Sequence, residues 1–425
     1  MTFVSRAALA IAMSLGVVAV SSPAMAQKAK DKDAPKLQVS NEFRKPAAAA
    51  EAAIKAKDYA TAETELAKAE AIAKNDDERY FAASMRLQVE AGKKSTDGII
   101  KALDLLLANP KTPRENLAFY NFLRGAQTME QKKSAEAIPF LEKARELGSA
   151  EKDLPLLLAR AYIDTGKVKQ GVGEIDRAIQ IEKAAGRKPP EDWYSYAVSK
   201  LYNSGDRAAT GEWLMRQVGE YPSLANWRKV ILIYRDSKNA AGESLTGDQK
   251  LDLFRLMRAT GALQDQGDYF DYANGALLAG LPWETIVIID EGRKNGRVPK
   301  PQASFDKAYG AAQTAVRNEG SLDALAKNAQ GSANGKPAVA TGDAFLSSAN
   351  YARAVEMYQL ALQKGGVDTN AVNLHLGVSY ARLGKMDEAK SAFGKVAPGT
   401  LGDIAHFWLV WMDMPALAAA APAAN

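Results

Sequence analysis

The feature that most constrains the fold of this chain is a recurring spacing of small and large apolar residues. In five segments, positions i, i+3, i+7 and i+10 carry the pattern, and this spacing places them on one face of a helix. The second position is Ala or Gly in every segment, and the third is large and apolar. The segments are Tyr59/Ala62/Leu66/Ala69, Ser134/Ala137/Leu141/Ala144, Val168/Gly171/Ile175/Ala178, Tyr351/Ala354/Tyr358/Ala361 and Met386/Ala389/Phe393/Val396. A small residue lets two helix axes approach to about 8–10 Å, and the large residue then fills the neighbouring groove.

A second signature precedes four of these segments and predicts a partner helix for each. It is a small residue followed three places later by a larger one, as in Gly125/Thr128, Ala159/Tyr162, Gly342/Phe345 and Gly377/Tyr380. Glycines such as Gly166 and Gly384 fall between the paired helices, where a left-handed residue commonly ends a helix. Equivalent positions are 34 or 35 residues apart, as Ala137 is from Gly171 and Ala354 from Ala389. The repeating unit is therefore a helix–turn–helix of about 34 residues.

This unit resembles that of the tetratricopeptide repeat (TPR) family, whose repeat has the same length and small and aromatic residues at these places. The resemblance implies an all-α, right-handed superhelical solenoid of about ten helix–turn–helix repeats with a concave groove. It is strongest near residues 43–76, 118–185 and 335–403. Between 190 and 330 it is weaker, and the residues that indicate diverged units there are Trp193, Ala209, Trp213, Pro222, Tyr269, Ala273, Gly280 and Ile289.

One run within the diverged region is β-branched enough to suit a strand. It is Thr285–Ile289, but Pro282 before it and Asp290 after it suit a helix equally well, because Pro is favourable in the first helical turn. We predict a helix there.

The first 26 residues have the composition of a secretory signal peptide. Arg6 precedes an apolar stretch, and Ala24 and Ala26 form the small-residue pattern of a cleavage site. The apolar stretch is too short to span a bilayer permanently. We expect cleavage near Ala26/Gln27, release into the periplasm and no integral membrane span afterwards; an uncleaved anchor is the alternative.

These observations divide the chain into seven predicted segments. They are 1–26, signal peptide; 27–42, polar tail; 43–189, N-terminal TPR-like repeats; 190–334, diverged repeats; 335–403, C-terminal TPR repeats; 404–414, a capping helix; and 415–425, an Ala/Pro-rich tail. The capping helix is rich in aromatic residues. It either covers the apolar face of the last repeat or exposes a patch that docks a partner or a membrane surface.

Composition argues against several classes of function. The chain has no cysteine, which excludes disulfides, thiolate nucleophiles, Cys-ligated metals and a lipid anchor on cysteine. The formal charge of +5 falls to +4 after cleavage, because Arg6 is the only charged residue in 1–26. Acidic and basic residues are interleaved, without the basic stripe expected of a nucleic-acid-binding protein.

The sequence offers little that resembles a catalytic or metal site. Its two histidines, His375 and His406, lie among apolar residues on predicted helices and have no His-x-x-x-His or HExxH partner. We interpret both as packing or groove residues rather than as a ligand or a catalytic base. We therefore expect no catalytic residue, no cofactor and no metal.

Function is then expected in the concave groove. In the TPR family the first helix of each pair lines that groove, which makes Phe119, Phe122, Met129, Arg160, Tyr202, Leu374, Val378 and Arg382 the candidate protein-binding residues, some of which could instead belong to the core. TPR domains that bind C-terminal carboxylates use a Lys/Asn/Arg clamp. The comparable faces here carry Met129, Glu130 and Asp164, which favours an apolar groove with arginine that accepts a helix or an extended segment.

The resulting hypothesis is a monomeric periplasmic scaffold, not an enzyme, that binds other envelope proteins or peptides. Two alternatives remain open: a cell-envelope hydrolase or glycan enzyme built on a helical superhelix, and a structural envelope component without a specific client. An enzyme would need a convergent pocket with a perturbed acid.

Overall fold

The computed structural model describes residues 38–414, which form 21 α-helices and contain no strand. The predicted signal peptide, residues 27–37 of the polar tail and the tail at 415–425 lie outside the described residues. The sequence predicts a polar tail up to residue 42, but residues 38–42 include the capping residue Ser40 and the start of the first helix. None of the helices within 38–414 is long and apolar enough to cross a bilayer. The chain divides into two compact units, one ending at Pro189 and the other beginning at Pro190.

Eight helices belong to the first unit. They are α1 Asn41–Lys55, α2 Tyr59–Ile72, α3 Asp76–Lys93, α4 Thr96–Ala108, α5 Arg114–Glu130, α6 Ser134–Glu146, α7 Leu154–Asp164 and α8 Val168–Ala184. Each odd-numbered helix packs on the next as a hairpin, and successive hairpins stack side by side. The unit is therefore an array of four helix–turn–helix pairs.

Thirteen helices belong to the second unit. They are α9 Glu191–Asn203, α10 Arg207–Glu220, α11 Leu224–Asp236, α12 Gly247–Ala259, α13 Gln266–Leu278, α14 Pro282–Lys294, α15 Ala303–Glu319, α16 Leu322–Gly331, α17 Lys336–Ser347, α18 Tyr351–Lys364, α19 Thr369–Arg382, α20 Met386–Phe393 and α21 Thr400–Met412. The predicted all-α architecture of about ten helix–turn–helix pairs is confirmed. The β-branched run at 285–289 lies within α14, which begins at Pro282.

The small and large residues of the repeated segments pack against neighbouring helices as the sequence predicts. Each of the five segments begins a helix at its first residue, and these helices are α2, α6, α8, α18 and α20. The small residue of the preceding helix lies against the large one. A Cβ atom added at Gly125, Gly342 or Gly377 would lie 2.5 Å from Leu141, 2.7 Å from Tyr358 or 2.5 Å from Phe393, respectively. A Cβ atom at any of these three crossings would therefore force the neighbouring side chain to shift.

Two glycines of the second unit should respond in opposite ways to the same substitution. Gly377→Ala is expected to lower the free energy of unfolding by about 1–2 kcal/mol, because overpacking against Phe393 outweighs the gain in helix propensity. Gly310→Ala should raise it by about 0.5–1 kcal/mol, because Gly310 is exposed inside α15 with open space around its Cβ position. Urea denaturation followed by tryptophan fluorescence measures both. All six tryptophans lie beyond residue 190, so the signal reports the second unit. A stabilising effect of Gly377→Ala would show that this crossing is not tight.

Within the second unit the regular stacking is interrupted and the chain doubles back. Helix α15 packs on α13 and α14, whereas α16 packs on α17 and α18. Gly320, between them, has φ of +83°, a conformation that suits glycine. After this corner, α17 packs on α14 and α21 packs on α10, and His375 of α19 reaches Asp252 of α12. First helices of the C-terminal repeats thus lie against second helices of the diverged repeats.

The aromatic helix α21 takes part in this doubling back. It packs on α19 and α20, as a further repeat helix would, and also on α10 and α12. The Trp408 ring stacks on Phe393 at 5.6 Å, and the Phe407 ring meets Tyr234 of α11 edge-on at 4.8 Å. Phe407, Trp408 and Trp411 are all buried. The alternative of an exposed aromatic patch is therefore wrong for α21, which covers α20 and reaches the diverged repeats as well.

Candidate protein-binding surfaces

An open groove lies between the first helices α9 and α11 of the second unit. Its volume is about 360 Å³. The lining residues come in equal number from the two helices: Ser195, Val198, Ser199 and Tyr202 from α9, and Lys229, Leu232, Ile233 and Asp236 from α11. Spacings of three, four and seven residues put each set on one helical face. The groove therefore runs along two neighbouring helix faces for about two turns.

The repeat itself builds this groove. Each lining residue of α9 has a counterpart on α11 that lies 34 residues further on, as Val198 does with Leu232 and Tyr202 with Asp236. The 34-residue period thus persists where the small-and-large signature had weakened. Sequence reasoning identified Tyr202 alone among these residues, and extending the period through 190–236 would have identified the others.

The groove combines an apolar floor with a polar rim. Val198 is buried, Leu232 and Ile233 are half-buried, and Tyr202 has 38% of its surface exposed. The Tyr202 hydroxyl donates a hydrogen bond to the backbone carbonyl of Asp236 at 3.3 Å, which holds the ring beside α11. An exposed aromatic ring that is fixed in position loses little conformational freedom on binding, which suits a recognition surface.

In the first unit, the predicted groove residues divide between core and surface. Phe122 and Met129 are buried in the hydrophobic core, and Phe119 is half-buried against it. Arg160 is exposed, and its Nε lies 3.7 Å from the Asp164 carboxylate. Arg160 borders a cavity of about 520 Å³ beside the start of α6, which Met129 and Asp164 also line. Phe122 was therefore misassigned, because it faces the packed interior.

In the C-terminal repeats, the prediction of a free groove is wrong for two of three residues. Leu374 and Val378 are buried, with exposed fractions of 0% and 2%. They lie on α19, which is surrounded by α17, α18, α20, α21 and, through His375, α12. Arg382, at the end of α19, is half-buried, and its Nε lies 3.3 Å from the Tyr351 hydroxyl. The chain itself covers the face that was expected to receive a partner.

A cluster of charged residues is buried where α12, α14, α17 and α19 meet. The two imidazole nitrogens of His375 lie 2.9 Å from Asp343 and 3.1 Å from Asp252. Arg255 donates to Asp252 at 2.8 Å and to Glu284 at 2.9 and 2.7 Å. The hydroxyls of Tyr272 and Tyr358 donate to Glu284 and Asp343, each at 2.7 Å. Every charge in the cluster therefore has an opposite partner.

The pairing controls protonation in this cluster. Burial by itself would lower the pKa of His375, but the adjacent Asp252 and Asp343 carboxylates outweigh it and raise that pKa to about 10. Burial raises the pKa of Asp252, and the His375 and Arg255 cations lower it by more. His375 is therefore an imidazolium at neutral pH that donates a hydrogen bond to each aspartate.

This cluster has the character of a structural link. Two carboxylates bind His375. Structural ion-pair networks shift the pKa of their members, so a shifted pKa does not by itself indicate catalysis. Within residues 38–414, no group of three or more His, Cys, Asp or Glu side chains is arranged to hold a metal ion. The sequence-based interpretation of His375 as a packing residue agrees with its burial, although its ionic partners were not foreseen.

Comparisons with known proteins give no functional assignment for this chain. No family model and no curated protein matches the chain. Among solved structures, it aligns with the APC/C hetero-tetramer Cut9-Hcn1 over 89% of its length and 71% of the other chain, at 11% identity and a TM-score of 0.23. It aligns with yeast Tom70 over 89% of its length and 98% of the other chain, at 10% identity and a TM-score of 0.24. Scores this low carry no argument about what the chain binds.

Proposed function

We propose that this protein is a non-catalytic scaffold of the bacterial envelope that binds a segment of another protein in the α9/α11 groove. The observation that carries the proposal is the contrast between two first-helix faces of the second unit. The face formed by α9 and α11 has a half-buried apolar floor open to solvent, whereas the face of α19 is covered by other helices of the same chain.

The size and chemistry of the groove suit a peptide segment. Its volume of about 360 Å³ lies within the range of ligand pockets and holds a few side chains. Leu232 and Ile233 supply apolar contact, while Ser199 and Tyr202 supply hydroxyls at the rim. Grooves between helices that combine apolar and polar positions accept amphipathic helices or extended segments.

A periplasmic location is the second part of the proposal. It is supported by the positive start, the apolar stretch and the small residues Ala24 and Ala26, all of which lie outside the described residues. The partner would then be another envelope protein.

An envelope enzyme is the competing proposal, and the arrangement of acids favours binding instead. Despite burial, the pKa values of Arg255 and His375 are both raised by neighbouring carboxylates, and the charges of this cluster pair with one another. Burial raises the pKa of Asp403, but this carboxylate accepts a hydrogen bond from Tyr234 at 2.7 Å and does not line the groove. The groove carries one carboxylate, Asp236, which is bound to Arg235 at 2.8 Å.

Site-specific photo-crosslinking in intact cells tests this proposal. A photoreactive amino acid at Ser199, an exposed groove position, is expected to give a discrete adduct with one envelope protein. The same amino acid at Glu212, exposed on the second helix α10, should not give that adduct. Tyr202→Ala should remove the Ser199 adduct, because truncating an aromatic anchor at an interface can cost about 2 kcal/mol or more of binding.

Two outcomes would contradict the proposal. Identical adducts at positions 199 and 212, unaffected by Tyr202→Ala, would show that the groove does not select the partner. Turnover of a cell-wall substrate by the purified protein would support the enzyme instead.

A further inference from the structure

We propose that the bound segment brings an acidic side chain to Lys229, beside an apolar side chain that enters the α9/α11 groove. This inference rests on the proposed function, since it concerns the chemistry of the partner that the same groove receives. It follows from the distribution of charge along α11.

Helix α11 carries three cations, and two of them are held by acids of the same unit. Arg228 donates to Asp265 at 2.6 Å and to Asp268 at 2.9 Å. Arg235 is bound to Asp236 at 2.8 Å. The third, Lys229, is exposed and has no ion-pair partner among residues 38–414. It is also the cation that lines the groove.

The other end of the groove does not offer a comparable unbalanced charge. Asp236 lies seven residues after Lys229, about two helical turns away, and Arg235 neutralises its carboxylate. Ser195, the counterpart of Lys229 on α9, adds a hydroxyl and no charge. A segment that enters the groove therefore meets one uncompensated positive charge, at the Lys229 end.

The spacing of Lys229 and the apolar floor sets the pattern expected in the partner. Leu232 and Ile233 lie three and four residues after Lys229, so their side chains are within about 5–6 Å of it on the same face. A complementary segment needs an acidic and an apolar residue at a similar separation. An amphipathic helix meets this need with Glu or Asp one turn away from a Leu, Ile or Phe anchor.

Three synthetic helices test the inference against the purified chain from Gln27 to Asn425. The probes share one 15-residue amphipathic sequence with a central Leu-Leu pair and differ at one position, one turn away, which is Glu, Gln or Lys. Fluorescence anisotropy measures their affinities for the unmodified protein, Lys229→Gln, Lys229→Glu and Tyr202→Ala. The unmodified protein should bind the Glu helix about 5-fold more tightly than the Gln helix, and the Lys helix more weakly still, as one partly exposed ion pair allows.

Charge exchange supplies the decisive comparison. Lys229→Gln should abolish the preference for Glu, and Lys229→Glu should reverse it, so that the Lys helix binds best. Raising the salt concentration should reduce these differences, because exposed charges are screened. Tyr202→Ala should weaken all three helices by a similar factor while keeping their order.

The inference and the proposed function fail in different ways. If Tyr202→Ala weakens every helix but Lys229→Glu leaves their order unchanged, the acidic contact is wrong and the groove stands. If the Glu helix does not bind at millimolar concentration, the inference is also overturned, and the Ser199 crosslink alone decides the function. If the helices bind and Tyr202→Ala affects none of them, both proposals fail.

Discussion

Replacing His375 with phenylalanine is expected to lower the free energy of unfolding of the second unit by about 3–5 kcal/mol at neutral pH. The imidazolium lies between Asp343 and Asp252, 2.9 and 3.1 Å away. Removing the imidazolium leaves the Asp343 carboxylate without its ion-pair partner and leaves Asp252 with Arg255 alone, which is why the cost is large. Urea denaturation followed by tryptophan fluorescence measures the effect, because all six tryptophans lie beyond residue 190.

The same substitution should make stability less dependent on pH. The pKa of His375 rises from an ordinary value of 6.5 to about 10 in the folded protein, so folding favours the protonated imidazole. The stabilisation of the folded state by protonated His375 is fully present below about pH 6.5 and is lost as pH rises through about 10. The difference between the unmodified protein and His375→Phe should therefore shrink between pH 7 and 10.

The second histidine of the chain is the matched control. His406 is exposed on α21, so His406→Phe should change stability by no more than about 0.5 kcal/mol. Equal effects of the two substitutions, or a His375→Phe penalty that persists unchanged at pH 10, would show that ion pairing is not what stabilises this cluster.

Phe407→Ala is expected to lower the free energy of unfolding of the second unit by about 3–5 kcal/mol, the usual penalty for truncating a buried phenylalanine. The same urea denaturation measures it. The Phe407 ring is 1% exposed and meets Tyr234 at 4.8 Å. It also lies near Gly211 of α10, where an added Cβ would be 3.6 Å from the ring. The substitution therefore removes contacts that join α21 to α10 and α11, which are distant in the sequence.

Two further variants separate packing from a general effect on α21. Phe407→Leu keeps most of the volume and should cost less than about 1.5 kcal/mol, whereas His406→Ala removes an exposed neighbour and should be near neutral. Binding of a probe helix to the α9/α11 groove can be measured separately from stability. Helix α11 carries Tyr234 on one face and Lys229, Leu232 and Ile233 on another. A loss below 1 kcal/mol for Phe407→Ala would show that α21 does not stabilise the diverged repeats.

The sequence by itself determined the helical pairs. The i, i+3, i+7, i+10 spacing depends on the geometry of a single helix, and a glycine opposite a large residue depends on one neighbouring helix, as with Gly377 and Phe393. Both relations connect residues that lie close together in the sequence, so the sequence alone reveals them. They also predicted correctly that Thr285–Ile289 is helical, since the Pro282 that begins α14 precedes it.

Only the tertiary structure decided which helix faces stay open. Helical periodicity shows that Leu374 and Val378 are apolar neighbours on α19. It does not show whether they line an open groove or a buried helix contact, because both surfaces are built from apolar side chains. The answer depends on contacts distant in sequence, such as Asp252 with His375 and Tyr234 with Asp403, which are 123 and 169 residues apart. The corner at Gly320 brings these partners together, and no repeating pattern encodes that return. Tyr202 stays accessible because none of the helices α9–α21 packs over the side of α9 and α11 that forms the groove.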